Sequence, residues 1–585
     1  MTQEPQARQP LFLVPLLIIA VALGLRYIPA WVAPMTMLHF MSLGFAPLLG
    51  LLGVLIWWLF ARRVRWRDRL LGVLATILVL VLVVAIGDQS FMFMLLSEAL
   101  PLALVLLAVA LVLTRSWDWN RRRWLLAGCM AIGLLPWTPF RVTGQRGDLG
   151  FDAIPRWGKT AESRFLESHR AAEATGGASG STARERGSLA GVPASWSGFR
   201  GDARDGIVRG VTFSTDWATN PPKQRWRHPV GPAWSSFAVA GGLAFTQEQR
   251  GEDEVVVAYS LDDGSEVWVH ASHERFEEPQ GGPGPRATPA YDDGKVFTLG
   301  ANGTVTALDA ATGEKLWSHN LQEEVKALLP QWGFSGSPLV AGRAVIVFAG
   351  GPSNQGLVAY DRDTGEKLWT AGRGMFSYVS PMPAHIGGVP QVLISTDFGI
   401  EAFRPEDGSP VWQHDWNMPQ MARIAMPLLL ADDKTVMIPT GFGQGTRSIT
   451  VQAANDETFS TETVWQSVAL KPYYNDAVCH KDHCYGFDGQ IFSCIDARTG
   501  ERKWKGGRYG SGQVVLLADM DTLLVISDDG EVVLVAADPA GLREIARFQA
   551  IEGKTWNHPV VADGLLLVRN DEEAACYELA AGAGE

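Results

Sequence analysis

Charge is scarce in this chain and unevenly spread. Of 585 residues 19% are charged, lysine is absent from the first 140, and five cysteines serve the whole length. So few cysteines exclude a disulfide-dense scaffold. Low charge beside 47% hydrophobic residues excludes global disorder and a solvent-exposed helical rod. No Cys-x-x-Cys-His occurs, so no c-type haem is attached. The glycine-rich run GFGQG, Gly441–Gly445, lacks the Lys-Ser/Thr of a nucleotide loop and falls in a strand repeat, so it reads as a turn. The net charge of −12 hides an asymmetry: residues 1–140 carry 11 Arg against 5 acids, and the remainder sums to −18. An acidic remainder argues against a nucleic-acid partner. The length itself predicts three or four units.

Long apolar runs fill the first 140 residues. They are Leu11–Leu25, Leu38–Phe60, Leu70–Gly87, Phe91–Thr114 and Trp124–Phe140. The middle three are long enough to cross about 30 Å of hydrocarbon, and a signal peptide would explain the first alone, not the series. Arg62, Arg63, Arg65, Arg67 and Arg69 lie between spans two and three, and Arg115 and Arg121–Arg123 between spans four and five. The positive-inside rule then predicts a cytoplasmic N-terminus, five crossings, and everything after Phe140 outside the cytoplasm. Glu98 inside the fourth span is a candidate for quinone or proton chemistry, because an intramembrane carboxylate is costly. With Asp88 and Ser90 close by, a shallow interfacial position is the other reading. Residues 141–195 read as a tether around Gly176, Gly177, Gly180 and Ser179–Thr182, with a short helix over Lys159–Thr175.

The remainder repeats. One unit, ATPAYDDGKVFTLGANGTVTALDAATGEKLW, holds three short alternating runs and closes with Asp-x-x-Thr-Gly-x-x-x-Trp at Trp317. Related closings end at Trp268, Trp369, Trp412 and Trp504, degenerate ones at Trp465 and Phe548, with spacings of 39 to 53 residues. Strand-filled repeats of that period predict propeller blades, each a four-stranded antiparallel sheet. Glycine supplies the positive-φ turn positions, and the recurrent tryptophan buries its ring between blades. Seven complete repeats run from about Pro232 to Ala550. The eighth begins at Trp556 and runs out near Leu579 with three strands. The KQRW strand ending at Trp226 has no blade before it, so joining the two closes an eight-bladed ring and removes free edges. The expected architecture is an N-terminal multi-helix transmembrane domain (1–140), an extracytoplasmic linker (141–195), and an all-β eight-bladed β-propeller (196–585) closed by the strand around 223–229.

These closings resemble the β-propeller repeats of pyrroloquinoline quinone (PQQ) proteins over roughly Trp196–Leu579. The overall size is similar to the outer-membrane assembly factor BamB and related bacterial propellers. The segment WSGFRGDARDG, Trp196–Gly206, resembles the lead-in of many such proteins. Five spans before an eight-bladed propeller also resemble membrane-bound quinoprotein glucose dehydrogenase. That resemblance implies spans that meet ubiquinone and a periplasmic propeller holding PQQ and calcium. The chain departs from the dehydrogenases in lacking a Cys-Cys pair and long insertions, and no residue here matches their calcium ligands or catalytic Asp. Fold alone does not confer the chemistry.

Each repeat opens with a short polar or aromatic cluster before its first strand, and equivalent positions in a propeller converge on one mouth of the channel. Trp234, Arg286, Tyr378, Arg423, Tyr474, Trp556 and His558 would ring a funnel, with Glu248 on a nearby inner strand balancing Arg286. Arg and aromatics are the types that anchor a ligand or a partner chain. The plainer reading is that they cap the inner strands. In AVCHKDHCYGF a two-residue turn at Lys481-Asp482 would place Cys479 opposite Cys484 and His480 opposite His483. A disulfide, two thiols or a metal site all remain open there. Two functions follow. One is a bacterial inner-membrane protein whose periplasmic propeller binds a protein or cell-envelope partner, with no catalytic residue, metal or cofactor expected. The alternative is a membrane quinoprotein dehydrogenase with PQQ and calcium.

Overall fold

The computed structural model describes residues 13–62, 64–147, 149–174, 187–418 and 421–580. The chain divides between Gly158 and Lys159 into two compact units.

The first unit is helical. Leu13–Val32, Met37–Phe60, Trp66–Ile86 and the run Gln89–Leu113 are, among the described residues, the four helices long and apolar enough to cross a membrane. The first extends past the apolar run that ended at Leu25 and takes in Arg26. The fifth expected span, Trp124–Phe140, is corrected. The helix there, Trp119–Leu134, has 16 residues, carries Arg121–Arg123 near its start, and gives way to a 3₁₀ turn and a strand from Phe140. At 1.5 Å per residue it falls short of a bilayer's roughly 30 Å. The topology built on five crossings falls with it. The strand Phe140–Gln145 pairs antiparallel with Phe151–Pro155, and Val142 N–H donates to Ser90 Oγ (3.0 Å). The expected linker is therefore partly structured. A helix also covers Ala161–Ala174, while the tether Gly176–Thr182 lies outside the described residues.

The second unit is an eight-bladed propeller. Blade one is Ala238–Ala240, Leu243–Arg250, Asp253–Ser260 and Glu266–Ser272, paired in that order. The same antiparallel meander recurs over 290–320, 339–371, 382–415, 428–467, 478–505 and 513–549. The last blade has three C-terminal strands, and Glu573–Glu578 pairs with Lys223–Pro229 from the other end of the domain. Two further short strands join the ring: Ala194–Trp196 beside the first strand of blade one, and Ile207–Val208 parallel to Gln513–Leu517 of blade seven. The middle strands of each blade, such as Thr522–Ile526 and Glu531–Ala536, are buried nearly throughout, because both of their faces meet neighbouring blades.

Tryptophan and glycine are abundant for one shared reason. The indole on the outermost strand of one blade docks on the closing turn of the next. Trp226 Nε1 donates to Leu261 O (3.0 Å) and Trp268 Nε1 to Ala310 O (3.0 Å), and Trp317, Trp369, Trp465 and Trp504 repeat the contact. The turn residues beneath, Gly264 and Gly313, sit at φ +70 and +75, where a Cβ would come within 2.7 and 2.5 Å of the indole. Only glycine meets both demands.

Candidate functional site

The first strand of every blade faces the propeller axis, and the residues just before it are linked into a ring. Ser236 N–H donates to Thr288 Oγ1 (2.9 Å), Thr288 N–H to Ser337 Oγ (2.9 Å), and Ser337 N–H to Ser380 Oγ (2.8 Å). Tyr378 N–H reaches Arg423 O (2.8 Å), Met426 N–H reaches Asp476 Oδ1 (2.7 Å), and Asp476 N–H reaches Gln513 Oε1 (3.2 Å). Gln513 Nε2 donates to Trp556 O (3.0 Å), and Ser236 Oγ to His558 O (2.6 Å), so every blade is bonded to the next. The side chains of Ser236, Thr288, Ser337, Ser380, Asp476 and Gln513 supply most of these links.

The lead-in Trp196–Gly206 lies inside this ring. Trp196 pairs with Val239 of blade one, and Ser197 O accepts from Tyr291 N–H of blade two (2.8 Å). Phe199 packs edge-on against His558 of blade eight (4.9 Å). Arg204 donates to Ser337 O (3.0 Å) and Pro338 O of blade three and to Pro381 O of blade four (2.7 Å). Arg200 donates to Ala477 O (2.7 Å) and lies 3.5 Å from Asp476 Oδ2, ahead of blade six. Ile207–Val208 then leaves along blade seven. A short segment bonded to this many blades can only sit on the axis, where it plugs the channel. Both arginines are buried. Among the described residues Arg204 has carbonyl partners alone, and burial pulls its guanidinium down to about 9.

Above the plug, half-buried aromatics converge. Trp234 packs on Trp556 and Trp556 on Tyr474, each pair with centroids 4.7 Å apart; Tyr473 continues the arc, 5.2 Å from Tyr474. Trp332 and Tyr378 form a second pair at 5.2 Å. The hairpin around Gln280 joins the two groups: Trp234 Nε1 donates to Gly281 O and Trp332 Nε1 to Gln280 Oε1, both at 2.7 Å. Lys554 Nζ stands 5.1 and 4.8 Å from the Trp234 and Trp556 rings, within cation–π range. Trp556 Nε1 and Asn557 Oδ1 are buried with no hydrogen-bond partner among the described residues, one donor and one acceptor at the funnel wall.

Of the residues singled out in the sequence, the structure brings Trp234, Tyr378, Tyr474 and Trp556 to the mouth. Arg286 is nearby but engaged: it donates to Gly282 O (2.8 Å), Gly284 O and Glu278 Oε1 (3.2 Å), and so holds the hairpin in place. Its expected partner Glu248 is corrected. Glu248 is wholly buried in blade one, accepting from Tyr259 Oη (2.6 Å), Gly231 N–H (3.0 Å) and Arg250. Glu278 takes the role because a hairpin partner is closer than a residue on another strand. Arg423 is also buried away from the rim, donating to Trp416 O (2.5 Å) and Thr396 O (3.3 Å), and burial lowers its guanidinium to about 10. His558 lies at the floor, its Nε2 3.2 Å from Asp476 Oδ2. Burial holds His558 below its ordinary value, against the opposing pull of the Asp476 carboxylate. Burial opposes charge on Asp476, but Arg200 and His558 outweigh it and hold the carboxyl low. Sequence reasoning missed Lys554, Trp332, Tyr473, Glu278 and both plug arginines. The signal for the plug was present in WSGFRGDARDG, whose paired arginines have no place in a repeat.

Elsewhere, Cys479 and Cys484 face each other across a hairpin and form a disulfide. Glu98 sits on a π-helical turn, Leu95–Ala99, with Oε1 3.0 Å from Arg26 Nη2, while Arg26 Nε donates to Ser97 O (3.2 Å). It is an ion-paired carboxylate rather than an isolated one.

A profile of the family described as outer membrane protein assembly factor BamB matches residues 252–506. BamB of Shewanella oneidensis is 32% identical over 142 residues, which is 23% of this chain and 34% of that protein. The lanthanide-dependent methanol dehydrogenase of Methylacidiphilum fumariolicum is 33% identical over 129 residues, 21% of this chain and 18% of that one. The match thus spans about a third or less of either relative's length. The crystal structure of BamB from Moraxella catarrhalis superposes with a TM-score of 0.46 at 18% identity, over 62% of this chain and 99% of that one. The propeller is of the type shared by BamB and the quinoprotein dehydrogenases. The expected placement in the inner membrane is overturned: the assembly-factor relatives are named for the outer membrane. Hydropathy and arginine placement report that helices suit a bilayer, and carry no mark of which bilayer.

Proposed function

We propose that the propeller is a binding module, attached to a membrane by the N-terminal helices, that takes a protein or cell-envelope partner into its aromatic funnel. The carrying observation is the mouth itself. Six half-buried aromatics, a lysine over two of them, and a buried donor and acceptor without partners among the described residues surround a floor closed by the plug. Large rings fixed by their neighbours bind at low entropic cost, and unmet polar atoms select a partner that satisfies them. The donor set argues against a resident quinone–calcium pair. Calcium takes about six to eight oxygens. Glu278 is engaged with Gln280 N–H, Gly281 N–H and Arg286, and Asp476 with Met426 N–H, Arg200 and His558.

The test is a photoreactive amino acid placed at Trp332, at the mouth, or at Val269, on an outer strand, in cells making the full chain. A discrete adduct is expected from position 332 and not from 269. Trp234→Ala with Trp556→Ala should reduce it about tenfold while the purified protein keeps its β-rich circular dichroism. Equal labelling from both positions would sink the proposal.

A further inference from the structure

The helical unit contains a cavity that the propeller's function does not use. It has a volume of about 400 Å³ and lies among the helices Met37–Phe60, Trp66–Ile86, Gln89–Leu113 and Trp119–Leu134. Its length is apolar, walled by Leu51, Leu55, Leu71, Leu78, Leu107 and Met130. One end is different. There Asp68, Arg123, Trp58 and Trp124 line it. Asp68 and Leu78 stand ten residues apart on one helix, so the groove runs about 15 Å from polar end to apolar depth. Gly72 shapes the wall, since a Cβ there would come within 2.6 Å of Trp58 Nε1. That indole is pinned by Arg69 O (3.1 Å) and stacks on Trp119 (6.0 Å between centroids).

We propose that this groove holds an anionic lipid, one acyl chain along the apolar wall and its phosphate beside Arg123. The polar end has the charge for it. Its carboxylate, Asp68, is already met by Trp119 Nε1 (2.9 Å) and Arg123 Nη1 (3.0 Å). Arg123 Nε remains buried with no hydrogen-bond partner among the described residues. Arg62, Arg65, Arg67 and Arg121 nearby in sequence are exposed, and no ion pair engages them among the described residues. The helices starting at Trp66 and Trp119 both begin at this end, and their N-termini favour an anion. A neutral amphiphile would fill the groove and leave this charge unmet. An anionic head satisfies both ends, as basic pockets between membrane helices do.

The experiment is native mass spectrometry of the full chain in detergent, offered phosphatidylglycerol, phosphatidylcholine and a neutral prenyl quinone of matched chain length together. Phosphatidylglycerol should be retained at least about fivefold over both others, the effect of about one charge at a membrane surface. Arg123→Gln should cut that preference to within about twofold. Arg123→Lys keeps a charge beside Asp68 and should keep the preference, which separates loss of charge from loss of fold. Ala127→Phe, in the groove wall, should lower occupancy by every amphiphile at least fivefold. Equal retention of the phospholipids, tighter retention of the quinone, or anionic binding unchanged in both Arg123→Gln and Ala127→Phe would overturn the proposal.

Discussion

Glu254 shows how one side chain ties stability to pH. It is buried in blade one, where Oε2 accepts Ala301 N–H (3.1 Å). Burial raises its carboxyl to about 7; the Glu274 charge adds to the rise, and the Ala301 bond and Arg286 oppose it without prevailing. The folded state therefore holds this proton more tightly than the unfolded chain. Stability from this group is full below the unfolded value near 4.5 and is lost as pH rises through about 7. Glu254→Gln keeps the acceptor and removes the titration. The variant should show a flatter urea midpoint between pH 5 and pH 8, with a gain at pH 8 of up to about 3 kcal/mol. An unchanged pH slope would mean that the carboxylate is satisfied when charged. None of this was legible beforehand: Glu254 stands at the start of an apolar strand, and its burial depends on Gly300 and Ala301 of the next blade.

At the scale of an element, the plug decides most. Trp196–Gly206 is recognisable in the sequence as a lead-in before the first repeat, and its glycines suit the turns it makes. Its course through the axis was not recognisable, because its partners are backbone carbonyls, and a carbonyl has no sequence identity. Arg204 meets carbonyls on two blades. Arg204→Met keeps much of the volume and strands those acceptors. At about 1–3 kcal/mol for each buried group left unmet, the loss should reach about 3–5 kcal/mol, read as a fall in the urea midpoint of the purified protein. A change under about 1 kcal/mol would mean that water enters and replaces the guanidinium. The helices give the complementary lesson. Their apolar runs located four membrane-length helices, yet Trp124–Phe140 was read too long, since hydrophobicity continued into residues that turn and become a strand.

For the whole molecule, closure is the governing feature. Lys223–Pro229 pairs with Glu573–Glu578, so the two ends of the propeller sequence share one blade. Trp226 is buried in that joint and docks on the turn of blade one. Trp226→Ala removes a large ring from the seam, which should cost about 3–5 kcal/mol. Because the ring bonds every blade to the next, the loss should not stay local. Hydrogen exchange should rise together in Leu565–Arg569 of blade eight and Leu243–Arg250 of blade one, on either side of the seam. Faster exchange confined to Lys223–Pro229 would show the strand to be a detachable edge.

What the sequence determined by itself was whatever repeats or persists along the chain. Long apolar runs marked the membrane helices, the Asp-x-x-Thr-Gly-x-x-x-Trp period marked the blades, and the incomplete last repeat together with KQRW marked the closure. Each is a local pattern whose meaning follows from strand and helix geometry. What only the tertiary structure decided was which unlike residues meet: Arg286 with Glu278 rather than Glu248, Arg423 turned inward, Lys554 over two tryptophans, and the arginine plug on the axis. These pairings join different blades or lie off the repeat. They are set by where eight sheets converge in space, and no spacing along one chain encodes that convergence.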